Sequence, residues 1–127
     1  MTTPTAATLV AEAKNQIENL TPEQVAKELE QGSVVVDLRE SDELRSTGKI
    51  PGAAHIPRGM LEFAADPASP YHQGVLDPSK RVVLHCAAGG RSALAAMTLK
   101  QMGYTDVAHL DGGISAWTSE GRPTEPV

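Results

Sequence analysis

Three aliphatic runs divide the chain: Val34-Val35-Val36, Val82-Val83-Leu84, and Val107-Ala108 with Leu110 close behind. None alternates with polar residues, so each reads as a strand buried on both faces, the pattern of a parallel sheet. Between these runs the spacing turns helical. Leu9, Val10, Ala13 and Ile17 recur at three- to four-residue intervals and predict an amphipathic helix over Thr5 to Glu18. Thr21-Pro22-Glu23-Gln24 carries an N-cap, a proline at the first helical position and the glutamine of a capping box, with Leu20 placed to staple onto Val25. A helix therefore runs from Pro22 to Gln31 and stops at Gly32. Ser41 to Thr47 predicts a short polar helix ended by Gly48, and the prolines around Ile50 to Pro57 hold that piece extended. Arg58 to Ala64 predicts a helix with Met60, Leu61 and Phe63 turned inward. Ser92 to Met102 predicts another, with Ala95, Leu99 and Met102 on one stripe and Gly103 as its cap. A last helix follows Asp111-Gly112-Gly113 through Trp117.

Strands alternating with helices define an α/β domain with helices on both sides of a mostly parallel sheet. Residues 1–16 form a helical arm ahead of a main domain over residues 17–127. The arm's stripe covers either this domain or a second copy of it, which would make a homodimer. Residues 66–78 are punctuated by Pro67, Pro70 and Gly74 without periodicity, and a connection this long is a candidate to line or lid a site.

The totals narrow the class. A chain of 127 residues holds one core, and sixteen acidic against eleven basic side chains give −5, which argues against a nucleic-acid surface. The single cysteine supports neither a disulfide framework nor a structural zinc site, and no other metal or cofactor motif is present. No apolar run approaches membrane-spanning length, and the start lacks a basic segment followed by an apolar one, so a cytoplasmic protein is expected.

The chemistry gathers where the second aliphatic run ends: His85-Cys86-Ala87-Ala88-Gly89-Gly90-Arg91-Ser92. A strand, a tight glycine loop and a helix make an anion cradle, because the N–H groups of Ala87 to Ser92 cannot all pair internally and the helix adds its positive end. A thiol at the mouth of that cradle is held toward its ionised form, and Arg91 adds a full positive charge. A cysteine at the end of a buried strand is commonly an inert small hydrophobe, but such a residue needs neither the glycine pair nor Arg91. Asp37, Arg39 and Glu40 end the first aliphatic run and fall on the same rim if the two strands are parallel neighbours. Asp37 and Arg39 read foremost as a supporting ion pair that fixes a loop. Arg58 is placed either to bind the anionic end of a substrate or to lie in solvent. His85 points to the opposite face from Cys86.

Cys86 to Ser92 resembles the active loop of the rhodanese family of sulfurtransferases. Asp37-Leu38-Arg39 followed by Gly48-Lys49-Ile50-Pro51-Gly52-Ala53, and Leu110-Asp111-Gly112-Gly113 followed by Ala116-Trp117, are similar to two further landmarks of that family. Lys49 stands where the family pattern has histidine. The resemblance runs from about Ile17 to Pro123 and implies a three-layer α/β/α domain. It also implies transfer of a sulfane sulfur from a small anionic, thiosulfate-type donor to cyanide, a thiol or a protein cysteine, through a persulfide on Cys86. Within it, Ala87, Ala88, Gly89, Gly90 and Ser92 hold the anionic sulfur, and Arg91 favours a thiosulfate-type donor. Three alternatives stand beside it. A cysteine phosphatase of related fold needs a loop one residue longer. A sulfur-carrier or regulatory module would hold a persulfide without turnover. A redox-sensing thiol lacks a second cysteine to resolve it.

Overall fold

Val34–Asp37 (β2) and Val82–His85 (β4) lie side by side within a five-stranded, wholly parallel sheet in the computed structural model, which describes residues 2–127. Met1, the first residue of the expected arm, lies outside them. Ala54–His55 (β3) flanks β2, Val107–Leu110 (β5) flanks β4, and Glu18–Leu20 (β1) closes the other edge, giving the order β1-β5-β4-β2-β3. Every residue of β4 and β5 is buried, as strands covered on both faces require.

Alternate residues serve two cores. Val36, Val82, Leu84 and Val107 face Leu61, Ala64 and Ala65 of α4 (Leu61–Ala65) and Ala95, Ala96 and Leu99 of α5 (Gly90–Gln101). Val35, Val83, Ala108 and Leu110 face Val25 of α2 (Pro22–Glu30) and Ile114 and Trp117 of α6 (Gly113–Ser119). Trp117 is buried, and its indole N–H donates to the Pro123 carbonyl at 2.8 Å. The result is a three-layer α/β/α domain.

The capping box at α2 forms as its sequence implies. Gln24 N–H donates to Thr21 Oγ1 at 3.2 Å, and Thr21 N–H to Gln24 Oε1 at 2.9 Å. The arm is helical over Ala6–Lys14 (α1), shorter than the predicted span. The helix packs against the chain's own α5, while Leu9 of its stripe stays 47% exposed. Ala13 is buried there, Lys100 Nζ donates to Gln16 O at 2.7 Å, and Lys14 pairs with Asp111 at 3.0 Å. Residues 18–20, where the predicted arm helix ends and no strand was expected, form β1 instead. The strand is three residues long with one buried side chain, too short for any period to show, and it exists because β5 offers it an open edge.

Two further expectations fail. Met60 and Phe63 do not turn inward; they are 40% and 52% exposed. The segment opens with a 3-10 turn over Arg58–Met60, and the five-residue α4 buries Leu61, Ala64 and Ala65, leaving Phe63 to meet Tyr71 edge-on. Nor does the long connection over residues 66–78 lid the site. It returns the chain to the amino end of β4, the rim opposite Cys86, and packs Leu76 into the core beneath α4. No helix among the described residues is long and apolar enough to cross a membrane.

Candidate active site

Parallel pairing of Asp37 with His85 brings the carboxyl ends of β2 and β4 together, so Leu38-Arg39 and Cys86-Ala87 leave the sheet on one rim. Gly89 adopts φ +109°, a left-handed conformation, and turns the chain into α5, whose first intrahelical bond is Ala93 N–H to Gly89 O at 3.0 Å. Helix geometry leaves the N–H groups of Gly90, Arg91 and Ser92 without intrahelical partners. Gly89 N–H donates to Cys86 Sγ at 3.2 Å.

The thiol does not sit at the mouth of the loop as expected. Cys86 is 1% exposed and forms the floor, because it continues the fully buried β4 and the start of α6 closes over it. Ile114 N–H donates to Cys86 O at 2.9 Å and Ser115 N–H to Ala87 O at 3.1 Å. Gly113, at φ +61°, is the point of closest approach. A Cβ there would stand 2.5 Å from the Ala87 carbonyl carbon and oxygen, so no other residue fits. Beside this floor lies a cavity of about 350 Å³ lined by Arg39, Asp42, Glu43, Ser46, Thr47, Ala87, Ile114 and Ser115.

Asp37 and Arg39 are brought to this rim and locked. Arg39 Nη2 meets Asp37 Oδ2 at 2.8 Å with both side chains 1% exposed, and the remaining donors go to Thr47 Oγ1 and Gly48 O, each at 2.8 Å. Burial pushes the Asp37 carboxyl up, but the Arg39 hydrogen bonds outweigh it and hold it below the ordinary carboxylate range. His85 faces away from the loop, 3.6 Å from Asp37, and burial pushes its imidazole down despite that carboxylate.

Arg91 is not an unpaired cation. Its guanidinium grips Glu43 through two bonds of 2.7 and 2.9 Å, and Glu43 Oε1 also accepts Glu40 N–H at the start of α3 (Ser41–Thr47). Those Arg91 bonds hold the Glu43 carboxyl at about 2. Arg58 stands apart from the cavity, bonded to Glu62 at 2.9 Å and to Thr98 Oγ1 at 3.3 Å on the middle of α5. Ser92 is buried 3.6 Å from Cys86 Sγ and 2.8 Å from His109 Nδ1.

Sequence reasoning missed Glu43, Gly113, Ile114, Ser115 and His109. Gly113 enters the sequence reading only within the Leu110-Asp111-Gly112-Gly113 landmark, with no role at the Cys86 loop. A histidine inside the aliphatic run of β5 is a buried polar side chain that needs partners, and that was the available signal for His109.

A parallel α/β sheet whose central strand ends in a cysteine loop capped by two helix starts is a fold-level definition. The sequence of residues 21–120 matches the rhodanese-like domain model, and the chain belongs to that family. It is 34% identical over 103 residues to the thiosulfate sulfurtransferase GlpE of Pseudomonas aeruginosa, covering 80% of this chain and 84% of that one. It is 33% identical over 90 residues to a sulfurtransferase of Allochromatium vinosum, covering 71% and 76%. A solved structure from Rhodopseudomonas palustris, described as a protein of unknown function and possible tyrosine phosphatase, superposes with a TM-score of 0.91 at 41% identity, covering 98% and 97%.

Proposed function

We propose that the protein is a thiosulfate-type sulfurtransferase working through a persulfide on Cys86. The sulfur of Cys86 attacks the outer sulfur of a small anionic donor. Its bond to that sulfur forms, the donor's S–S bond breaks, and sulfite leaves with the electron pair. A second nucleophile, cyanide in an assay or a thiol or protein cysteine in the cell, then takes the outer sulfur and frees Cys86. Splitting the transfer into two displacements implies ping-pong kinetics. The Gly89 N–H lies on Sγ, and the unpaired N–H groups of Gly90 to Ser92 offer donors for the negative charge that the persulfide carries. Arg91 supplies the cation for the donor's anionic end once Glu43 lets go.

The single observation that carries this reading is the short loop from Cys86 to Arg91, with the cysteine sulfur on its floor and a peptide N–H aimed at it. Four intervening residues make a bowl sized for one extra sulfur rather than a whole phosphate. The sulfurtransferases among its relatives support the same chemistry.

Mass spectrometry after incubation with thiosulfate tests it. One added sulfur on Cys86, removed by cyanide with release of thiocyanate and absent from Cys86→Ser, is the expected result. No adduct on the folded native protein overturns the proposal. The description of the Rhodopseudomonas palustris neighbour brings in the second reading, and hydrolysis of an aryl phosphate without any sulfur adduct would favour it. An adduct that forms once and is never passed on would instead mark a sulfur carrier.

A further inference from the structure

Behind the Cys86 loop runs a line of hydrogen-bonded polar side chains, from exposed Asn19 on β1 to buried His109 and Ser92, that the reaction above does not use. Asn19 Nδ2 donates to Lys14 O at 2.9 Å and to Ile17 O at 3.1 Å, which turns its amide oxygen toward His109. That oxygen lies 2.8 Å from His109 Nε2, so Nε2 carries the ring proton and Nδ1 is bare. Ser92 Oγ is 2.8 Å from Nδ1 and is the donor that satisfies it, with Gly89 O a longer alternative at 3.2 Å. With its proton so committed, the Ser92 oxygen offers lone pairs to Cys86, whose S–H lies 3.6 Å away and donates to it. Asn19, His109, Ser92 and Cys86 thus form one chain with every bond pointing the same way.

The chain has a second arrangement that satisfies the same atoms. Move the Cys86 proton to Ser92 oxygen and the Ser92 proton to Nδ1, and the imidazolium donates to both Asn19 and Ser92 while Ser92 donates to a sulfur anion. We infer that Asn19, His109 and Ser92 are a proton wire, in which His109 acts as a positioning residue that takes the Cys86 proton through the Ser92 hydroxyl. As Sγ bonds to its electrophile the S–H electron pair stays on sulfur and the proton passes to Nδ1. When the outer sulfur departs, its bonding pair returns to Sγ and the proton comes back the same way.

The surroundings fit a ring that rests neutral. Burial pushes His109 down to about 4, partly offset by Asp111, while Lys14 pushes it further down; those two charges face the ring from the end of β5 and from α1 and pair with each other. Cys86 reaches the ring only through the Ser92 hydroxyl. Asn19 is itself held by the carbonyls of Lys14 in the arm and Ile17 just after it, so the arm helps fix the orientation of the ring.

The inference rests on the sulfur-transfer reading only for the identity of the electrophile, so the test uses another one. Alkylation of Cys86 by iodoacetamide is measured from about pH 5 to about pH 10 in the native protein, His109→Gln, Ser92→Ala and the double variant. Each single change is expected to lower the neutral-pH rate about 100-fold. The double variant should lose no more than either single one, and all four should meet at one alkaline plateau, where the thiol ionises without help. Single variants within about twofold of native at neutral pH, or losses that multiply in the double variant, overturn the wire. A variant that fails to fold leaves a direct readout in the native protein. Nitrogen NMR must show His109 protonated at Nε2 and bare at Nδ1, and the opposite tautomer overturns the inference. Persulfide formation from thiosulfate is followed separately. Its failure beside an intact alkylation pattern overturns the functional proposal and leaves the wire standing.

Discussion

Two arginine–carboxylate pairs flank the cysteine loop on the same rim of the sheet, and they behave differently. Arg39 is 1% exposed and spends its donors on Asp37, Thr47 and Gly48, while its own carbonyl takes His55 Nε2 at 2.6 Å. Arg91 is 38% exposed and holds one partner, Glu43, at the edge of the cavity. A buried guanidinium with all its donors used has no capacity for a ligand; removing it strands a charge. A half-exposed pair is weak, because water competes for both ions and a passing anion can take the carboxylate's place. The same two residue types therefore make a scaffold in one position and an exchangeable gate in the other.

The largest effect expected from breaking this contrast is on stability. Arg39→Ala should cost about 3–5 kcal/mol, since it leaves Asp37 buried without its cation. Urea unfolding measures it, and a loss under about 1 kcal/mol would make the two pairs equivalent. Arg91→Ala should leave the unfolding midpoint nearly unchanged and raise the KM for thiosulfate about tenfold, the effect of losing one charge-assisted contact. Steady-state kinetics with cyanide as acceptor reads it, and an unaltered KM would remove Arg91 from donor binding.

Glu43→Gln probes the gate from the other side. With the competing carboxylate gone, the KM for thiosulfate should fall by about threefold, a fraction of the roughly 1 kcal/mol such a pair is worth. A rise would show that Glu43 orients Arg91 rather than occupying it. The smallest expected effect is on acid stability. The Glu43 carboxyl stands at about 2 in the folded chain against an ordinary 4.5, a depressed value. Its contribution is therefore complete above about pH 4.5 and fades as the pH falls toward 2. Thermal melts of the native protein and Glu43→Gln should converge over that window, and a gap that widens there would contradict the sign.

Much of the scaffold was legible because its signals are local. The aliphatic runs at Val34, Val82 and Val107 named three strands, and Thr21 with Gln24 named the start of α2. Phe63 and β1 were misread for opposite reasons. Phe63 sits in a segment whose first turn is 3-10, which rotates the apolar face away from the helical expectation, and β1 is defined by the edge it joins rather than by its own residues.

The chain's own order of residues determined that Cys86 would end a buried strand and that glycines would turn it into a helix. That follows from hydrophobic period and backbone freedom, which depend on near neighbours alone. The partners of that loop were decided only by folding. Glu43 comes to Arg91, Gly113 to Ala87, His109 to Ser92 and Asn19 to His109 across 48, 26, 17 and 90 positions of sequence respectively. Hydrogen bonds and charge pairs act over a few ångströms of space, and only the pairing of β2, β4, β5 and β1 into one sheet shortens those separations to that range.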